Sequence, residues 1–145
     1  MEELLNPIFK EFNHLYKEEN DIYRDISQRI GACNSAVSIL YDLCCLGEGC
    51  TQKDICDSSF LSKQTVNSSI RKLVDLGYIY LEKGKGRNMH IYLTDSGRTI
   101  IDEKIRPVIR MELDAFLSLG DDAETLVRLF RQYLSEFRKK VDAME

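Results

Sequence analysis

The chain has 145 residues, 43% of them apolar and 30% charged, which suits one packed core and excludes a wholly disordered protein. No run approaches the ~18 consecutive apolar residues of a spanning helix, and Met1-Glu2-Glu3-Leu4-Leu5-Asn6-Pro7 lacks the basic start of an export signal, so no membrane contact and a cytoplasmic location are expected. The net charge of −4 is uneven, because residues 51–98 carry eight basic and five acidic side chains between two acidic flanks, a distribution suited to a local polyanion contact.

Residues from about Asn6 to Ile30 read as a long helix. Ile8, Phe9, Phe12, Leu15 and Tyr16 keep helical spacing, Ile22, Tyr23, Ile26 and Ile30 extend the stripe, and Gly31 ends it. A second helix is predicted from Ser35, an N-cap residue, with Val37, Leu40, Tyr41 and Cys44 on one face and a stop at Gly47-Glu48-Gly49. Thr51-Gln52-Lys53-Asp54 has the form of a capping box and opens a short third helix anchored by Ile55. Asp57-Ser58-Ser59 is expected to break it. The fourth helix starts at the N-cap Ser62, places Val66, Ile70, Leu73 and Val74 on one face and ends at Gly77.

A hairpin follows. Tyr78 to Lys83 and Asn88 to Thr94 alternate as strands around the loop Gly84-Lys85-Gly86-Arg87. The remainder is helical, with an apolar stripe from Ile100 to Leu117 in a helix that Pro107 should kink or locally weaken. After a turn at Leu119-Gly120-Asp121-Asp122, Leu126, Phe130, Tyr133 and Phe137 mark a last amphipathic helix.

Three helices and a two-stranded hairpin over residues 35–94 make the winged helix-turn-helix order, so the fold class expected is mainly α with a small β-hairpin wing. Read at 100° per residue, the fourth helix turns Gln64, Ser68, Arg71 and Asp75 away from its apolar face, while Lys63, Thr65 and Asn67 flank its start. Short polar side chains permit close approach to a major groove, and Gln, Asn and Arg read base edges there. The hairpin tip carries Lys83, Lys85 and Arg87 beside two glycines, a composition suited to the negative minor groove. The candidate DNA-binding residues are therefore Ser62, Lys63, Gln64, Thr65, Asn67, Ser68, Arg71, Lys85, Arg87 and Asn88. They lie on a recognition helix at about 62–76 and a wing at 83–88.

The amphipathic helices before and after this unit either enlarge one monomeric core or pack against a second chain. No glycine-rich phosphate loop, H-E-x-x-H or G-x-S-x-G is present, so an enzyme is not expected. No cofactor and no metal are expected either: the two histidines, His14 and His90, lie far apart, and the five cysteines form no C-x-x-C.

Four stretches together resemble the MarR family of transcriptional regulators. They are Thr51-Gln52-Lys53-Asp54-Ile55-Cys56, Leu61-Ser62-Lys63-Gln64-Thr65-Val66-Asn67, Leu73-Val74-Asp75-Leu76-Gly77-Tyr78-Ile79 and Ile91-Tyr92-Leu93-Thr94-Asp95-Ser96-Gly97. The resemblance covers nearly the whole chain. It implies a homodimer with intertwined terminal helices, residues 1–34 and 99–145, around a DNA-binding unit at 35–98. It also implies a pseudo-palindromic operator on double-stranded DNA and frequent release by a small molecule or an oxidant. The family wing commonly carries an aspartate two residues before its arginine; here Lys85 stands in that place before Arg87, leaving Glu82 as the alternative partner.

Family ligand pockets lie between dimer helices and winged helix, which makes Phe12, Tyr16, Tyr23 and Tyr41 the candidate lining; aromatic stripes at helical spacing more often form core. Two alternatives stand beside a ligand-responsive regulator. One is a winged-helix protein-interaction module that binds no DNA. The other is a thiol-based redox sensor, against which Cys44 faces the core, Cys45 and Cys50 have acidic surroundings, and the first helix has no cysteine.

Overall fold

The computed structural model describes residues 6–59, 61–84, 86 and 88–144. The chain divides into two compact units, Met1–Val108 and Ile109–Glu145. In chain order the elements are α1 (Pro7–Ile30), α2 (Asn34–Leu46), α3 (Gln52–Ser59), α4 (Lys63–Asp75), β1 (Ile79–Lys83), β2 (Met89–Leu93), α5 (Asp95–Ile100), a π-helical turn (Ile101–Ile105), α6 (Arg106–Leu117) and α7 (Asp122–Asp142). This is the mainly helical, winged order expected.

Local chemistry sets most of the boundaries. Asn6 Oδ1 accepts from the N–H groups of Ile8 and Phe9, and Gly31 closes α1 in the left-handed conformation. The capping box of α3 forms: Thr51 N–H donates to Asp54 Oδ2 at 2.7 Å, and Asp54 N–H donates to Thr51 Oγ1 at 3.3 Å. Ser62 Oγ caps α4 by accepting from Thr65 N–H.

Two expectations need correction. α2 is capped at Cys33, not at Ser35, and without a side-chain bond to the helix start; Ser35 Oγ instead accepts from Ser69 Oγ of α4 at 2.8 Å. α3 does not break at Asp57-Ser58-Ser59 but runs through to Ser59. Both serines find partners that keep the helix: Ser59 Oγ donates to the Ile55 carbonyl, and Ser58 Oγ donates to Asp42 of α2. The Pro107 disturbance arrives as a widened turn before the proline. Arg106 N–H reaches back five residues to the Ile101 carbonyl, which relieves the crowding a proline ring imposes on the preceding turn.

The core of the first unit is aliphatic. Ile39, Leu40 and Leu43 of α2, Ile55 of α3 and Leu73 of α4 are all but inaccessible, as are Val66, Ile79, Ile91 and Ile105. Each such side chain stabilises the fold by about 1.5–3 kcal/mol relative to exposure. β1 and β2 pair antiparallel in the register Ile79↔Leu93 and Leu81↔Ile91. The other edge of β2 is held too, because Gly49 N–H donates to the Ile91 carbonyl and Ile91 N–H donates to Cys50. The wing is thereby tied to the α2–α3 connection. Arg98 pairs with Glu48, whose second oxygen accepts from Leu93 N–H, and this closes the same corner from α5.

The stretch Leu93-Thr94-Asp95-Ser96-Gly97 has a physical reading at this corner. Thr94 Oγ1 accepts from Gly97 N–H at 2.9 Å and donates to the Gly77 carbonyl at 2.6 Å. A Cβ on Gly97 would lie 1.8 Å from the Tyr78 carbonyl oxygen. Only a residue without a side chain lets α5 start this close to the end of α4.

In the second unit α7 buries none of its described residues. Phe130, Tyr133 and Phe137 form a stacked row along the helix, with ring centroids 6.3 and 6.0 Å apart. Leu126, Leu129, Leu134 and Phe137 stay about half exposed. α1 has similar gaps, with Ile8, Leu15 and Ile22 exposed.

Candidate nucleic-acid interface

α4 presents two faces. Val66, Ser69, Ile70 and Leu73 are buried against the core, whereas Gln64, Ser68, Arg71 and Asp75 are exposed. The candidate residues separate by what their side chains already touch. Ser62 Oγ and Thr65 Oγ1 lie 2.8 Å apart and organise the cap, and Ser68 Oγ donates to the Thr65 carbonyl. These hydroxyls are engaged within the helix end. Gln64 and Arg71 are the long exposed groups with the reach and donor pattern for base edges. Asn67 is half-buried beside them.

Lys63 opens α4 and is exposed. It also lines a hollow of about 490 Å³ with Thr51, Gln52, Lys53, Cys56, Asn88 and Met89. Gln52 Nε2 donates to the Lys63 carbonyl at 3.2 Å, which fixes the start of α3 against the start of α4. The hollow thus gathers two lysines, one at each helix start, and the exposed Asn88 at the base of the wing. Lys53 and Gln52 were not among the sequence candidates. Their signal was present in the capping box, since the first turn of the first helix-turn-helix helix is where that motif crosses a duplex backbone. Lys85 and Arg87 lie outside the described residues. Glu82, the alternative wing partner, is exposed on β1.

A second concavity, of about 750 Å³, sits between α1, α2 and the α3–α4 turn. Tyr23, Arg24 and Ile26 of α1 line it, with Val37, Ser38 and Tyr41 of α2, Ser59 at the end of α3 and Leu61 of the following turn. Of the four aromatic candidates, Tyr23 and Tyr41 line this cavity. Phe12 and Tyr16 do not; they form an edge-to-face pair on α1, rings 5.1 Å apart, with Phe12 beside a separate apolar hollow near Pro7 and Ile8. Partial burial pushes the Tyr41 phenol up, with Cys45 and Asp42 adding to it, so it is a neutral donor near pH 7. Ser59 ends α3 and Leu61 lies in the turn before α4, so whatever fills this cavity touches the support of α4.

Asp42, buried on α2, accepts from Ser58 Oγ at 2.9 Å through Oδ1, and its Oδ2 has no hydrogen-bond partner among the described residues. Burial raises its carboxyl above the ordinary range, only partly offset by Ser58. Cys44 is half-buried, and Cys50, half-buried and beside Asp54, has its thiol pushed up to about 11, chiefly by burial. Among the described residues no group of three or more His, Cys, Asp or Glu could hold a metal ion. No described helix is long and apolar enough to cross a membrane.

Residues 43–87 match the model of the MarR family, a span running from the end of α2 through the helix-turn-helix to the wing tip. The fold is the MarR-type winged helix-turn-helix fold. Its fold is similar along most of its length to that of a MarR family regulator from Neisseria meningitidis, NMB1585, at 23% identity, covering 95% of this chain and 97% of that one, with a TM-score of 0.75. It is also similar to Staphylococcus aureus MepR in a DNA complex, at 22% identity over 88% of this chain and 96% of that one, TM-score 0.70. A third similar structure is Staphylococcus aureus MarR bound to salicylate and kanamycin, at 16% identity over 96% and 95%, TM-score 0.67. No curated protein matches the sequence.

Proposed function

We propose that the MarR-type chain acts in the cytoplasm as a homodimer on a pseudo-palindromic operator, with α4 in the major groove and the 83–88 wing at the minor groove of each half-site. Residues 35–98 form the reading unit, and residues 1–34 and 99–145 pair the two chains. The observation that carries this reading is the face of α4: buried aliphatics behind, exposed Gln64 and Arg71 in front, and the lysine-lined hollow at its start. Bases are read from the front, and phosphates are held by Lys63 and Lys53. The exposed apolar rows of α1 and α7 are what the second chain covers, which sets two reading helices about 34 Å apart, one helical repeat of DNA.

Release by a small molecule is assigned to the 750 Å³ cavity. Its mixed lining, with Tyr23, Tyr41 and Ser38 beside Ile26 and Val37, suits a compact aromatic or aliphatic ligand with one polar end. The MarR structure with salicylate and kanamycin is a related protein with small molecules bound. The test is selection of bound sequences from a random duplex pool by the intact protein. A two-fold symmetric consensus is expected, and Gln64→Ala should relax it at one position per half-site. Binding with no sequence preference would contradict the reading, and recovery of a consensus unaltered by Gln64→Ala would remove that residue from it.

A further inference from the structure

The base of the wing holds a bracing contact that neither the reading face nor the cavity uses. His90, half-buried on β2, places Nδ1 2.6 Å from the Gly49 carbonyl in the α2–α3 connection. A carbonyl only accepts, so Nδ1 carries the proton and donates. Gly49 thereby spends both backbone groups on β2, since its N–H donates to the Ile91 carbonyl at 2.8 Å. Thr51, which opens the capping box of α3, also bridges to His90. The residue is therefore tied to the segment that leads directly into the helix-turn-helix.

The far side of the ring meets the wing loop. In the hairpin register His90 faces Glu82, which makes Gly84 its diagonal neighbour, and Gly84 N–H donates to the Asn88 carbonyl at 3.3 Å. A Cβ on Gly84 would fall on Nε2 and Cδ2 of the His90 ring. Gly84 does not need glycine for its backbone, because it lies outside the left-handed region that Gly49 and Gly86 occupy. It needs the missing side chain, since the ring fills that place. The ring cannot swing aside without giving up its bond to Gly49. One side chain is thus wedged between the α2–α3 connection and the loop that carries Lys85 and Arg87. Backbone bonds from the connection reach β2 at Ile91. The His90 ring carries that support on toward the tip, where a two-stranded ribbon alone twists readily.

We propose that His90 is the positioning residue of the wing: wedged between Gly49 and Gly84, it fixes the angle at which the loop meets the minor groove. It touches no DNA itself. The effect on affinity rests on the DNA-binding reading above, whereas the brace rests on the hairpin alone. A wing held at its binding angle before the duplex arrives loses less freedom on association. Removing the ring keeps the α4 face and lets the loop swing. The loss should therefore fall on contacts made through the wing and spare those made by Gln64 and Arg71.

The test uses the full chain and its selected duplex, with affinity and hydroxyl-radical footprinting as readouts. His90→Ala should bind about tenfold more weakly, lose protection of the minor groove at the wing and keep the parent's base preference. Arg87→Ala should weaken the parent and add nothing in the His90→Ala background, a coupling that a general loss of stability does not produce. Gly84→Ala should mimic His90→Ala, because its methyl displaces the ring. His90→Asn keeps an N–H donor near the Nδ1 position in a shorter side chain, so Gly84→Ala should cost little in that background. Full additivity of Arg87→Ala with His90→Ala overturns the proposal, as does parental affinity in both His90→Ala and Gly84→Ala. If His90→Ala does not fold, a Gly84→Ala cost that persists in His90→Asn overturns it instead. Amide hydrogen exchange over residues 82–90 reads the brace without DNA. It should quicken in Gly84→Ala and slow again when His90→Asn is added, and exchange unchanged in Gly84→Ala means that there is no brace. Should the parent bind no duplex, or ignore Arg87→Ala, the DNA-binding reading fails and takes the affinity effect with it, while exchange still decides the brace.

Discussion

The reading core and the last helix have the same apolar vocabulary and opposite burial. From α2 to β2, the aliphatic positions that the helical and strand periods select are covered: Ile39, Ile55 and Val66 are wholly inaccessible. Along α7 an equally regular row is left open, with Leu126 51% and Phe137 53% exposed. A sequence pattern therefore says that a face will be buried and does not say by which chain. The first region satisfies its pattern internally. The second, with no buried residue across 21 positions, has the pattern of a half-interface.

The sharpest way to break this comparison is to damage each region and watch different observables. Gly97→Ala should have the largest effect on the reading core. The added carbon meets the Tyr78 carbonyl at 1.8 Å, backbone against backbone, with no flexible side chain to yield. A loss of about 3 kcal/mol or more in denaturant unfolding is expected. Ile55→Ala follows at about 2–5 kcal/mol from transfer and cavity terms. Phe130→Asp with Phe137→Asp should instead convert a dimer into a monomer in sedimentation, with the core's own unfolding transition retained. If the pair stayed dimeric, α7 would not be part of the interface. If it unfolded the core, α7 would be part of one enlarged monomeric core.

How much of this was legible in the sequence follows the range of the interactions concerned. The cap at Ser62 and the capping box at Thr51 are bonds over three residues, and both formed as read. The start of α2 was misplaced because Ser35 answers to Ser69, 34 residues away, and a distant partner overrode a local capping preference. α3 outlasted Asp57-Ser58-Ser59 for the same reason, since Ser58 bonds to Asp42 across 16 residues. In the site, the outward face of α4 was legible from its 100° rotation alone. The lysine-lined hollow was not, because it needs α3, α4 and the base of the wing at once.

On the interface, Arg71→Ala should cost about 1–3 kcal/mol of duplex affinity and alter base preference at one position. Lys63→Ala should weaken all duplexes alike and lower the salt slope by about 1. Equal effects of both substitutions on cognate and random duplexes would merge the two roles proposed for them. Arg87→Ala extends the same comparison to the wing, with a loss of general affinity expected.

The smallest effect sharpens the comparison from inside the core. Asp42 is a buried carboxyl, and burial raises it above its value in an unfolded chain. A raised carboxyl binds its proton more tightly when folded. Its favourable contribution is therefore complete below the unfolded carboxylate range and is lost as pH rises through the folded value. When ionised, the group keeps its bond from Ser58 Oγ but leaves Oδ2 without a partner among the described residues. Asp42→Asn preserves an acceptor for Ser58 and removes the charge. The variant should be more stable than the parent at pH 8, by about 1 kcal/mol or less, and the difference should shrink toward pH 4. A parent protein that grows more stable relative to the variant as pH rises would reverse the sign. That result would mean the carboxylate finds a cation as partner, and that the α2–α3 contact is held by charge and not by a lone hydroxyl.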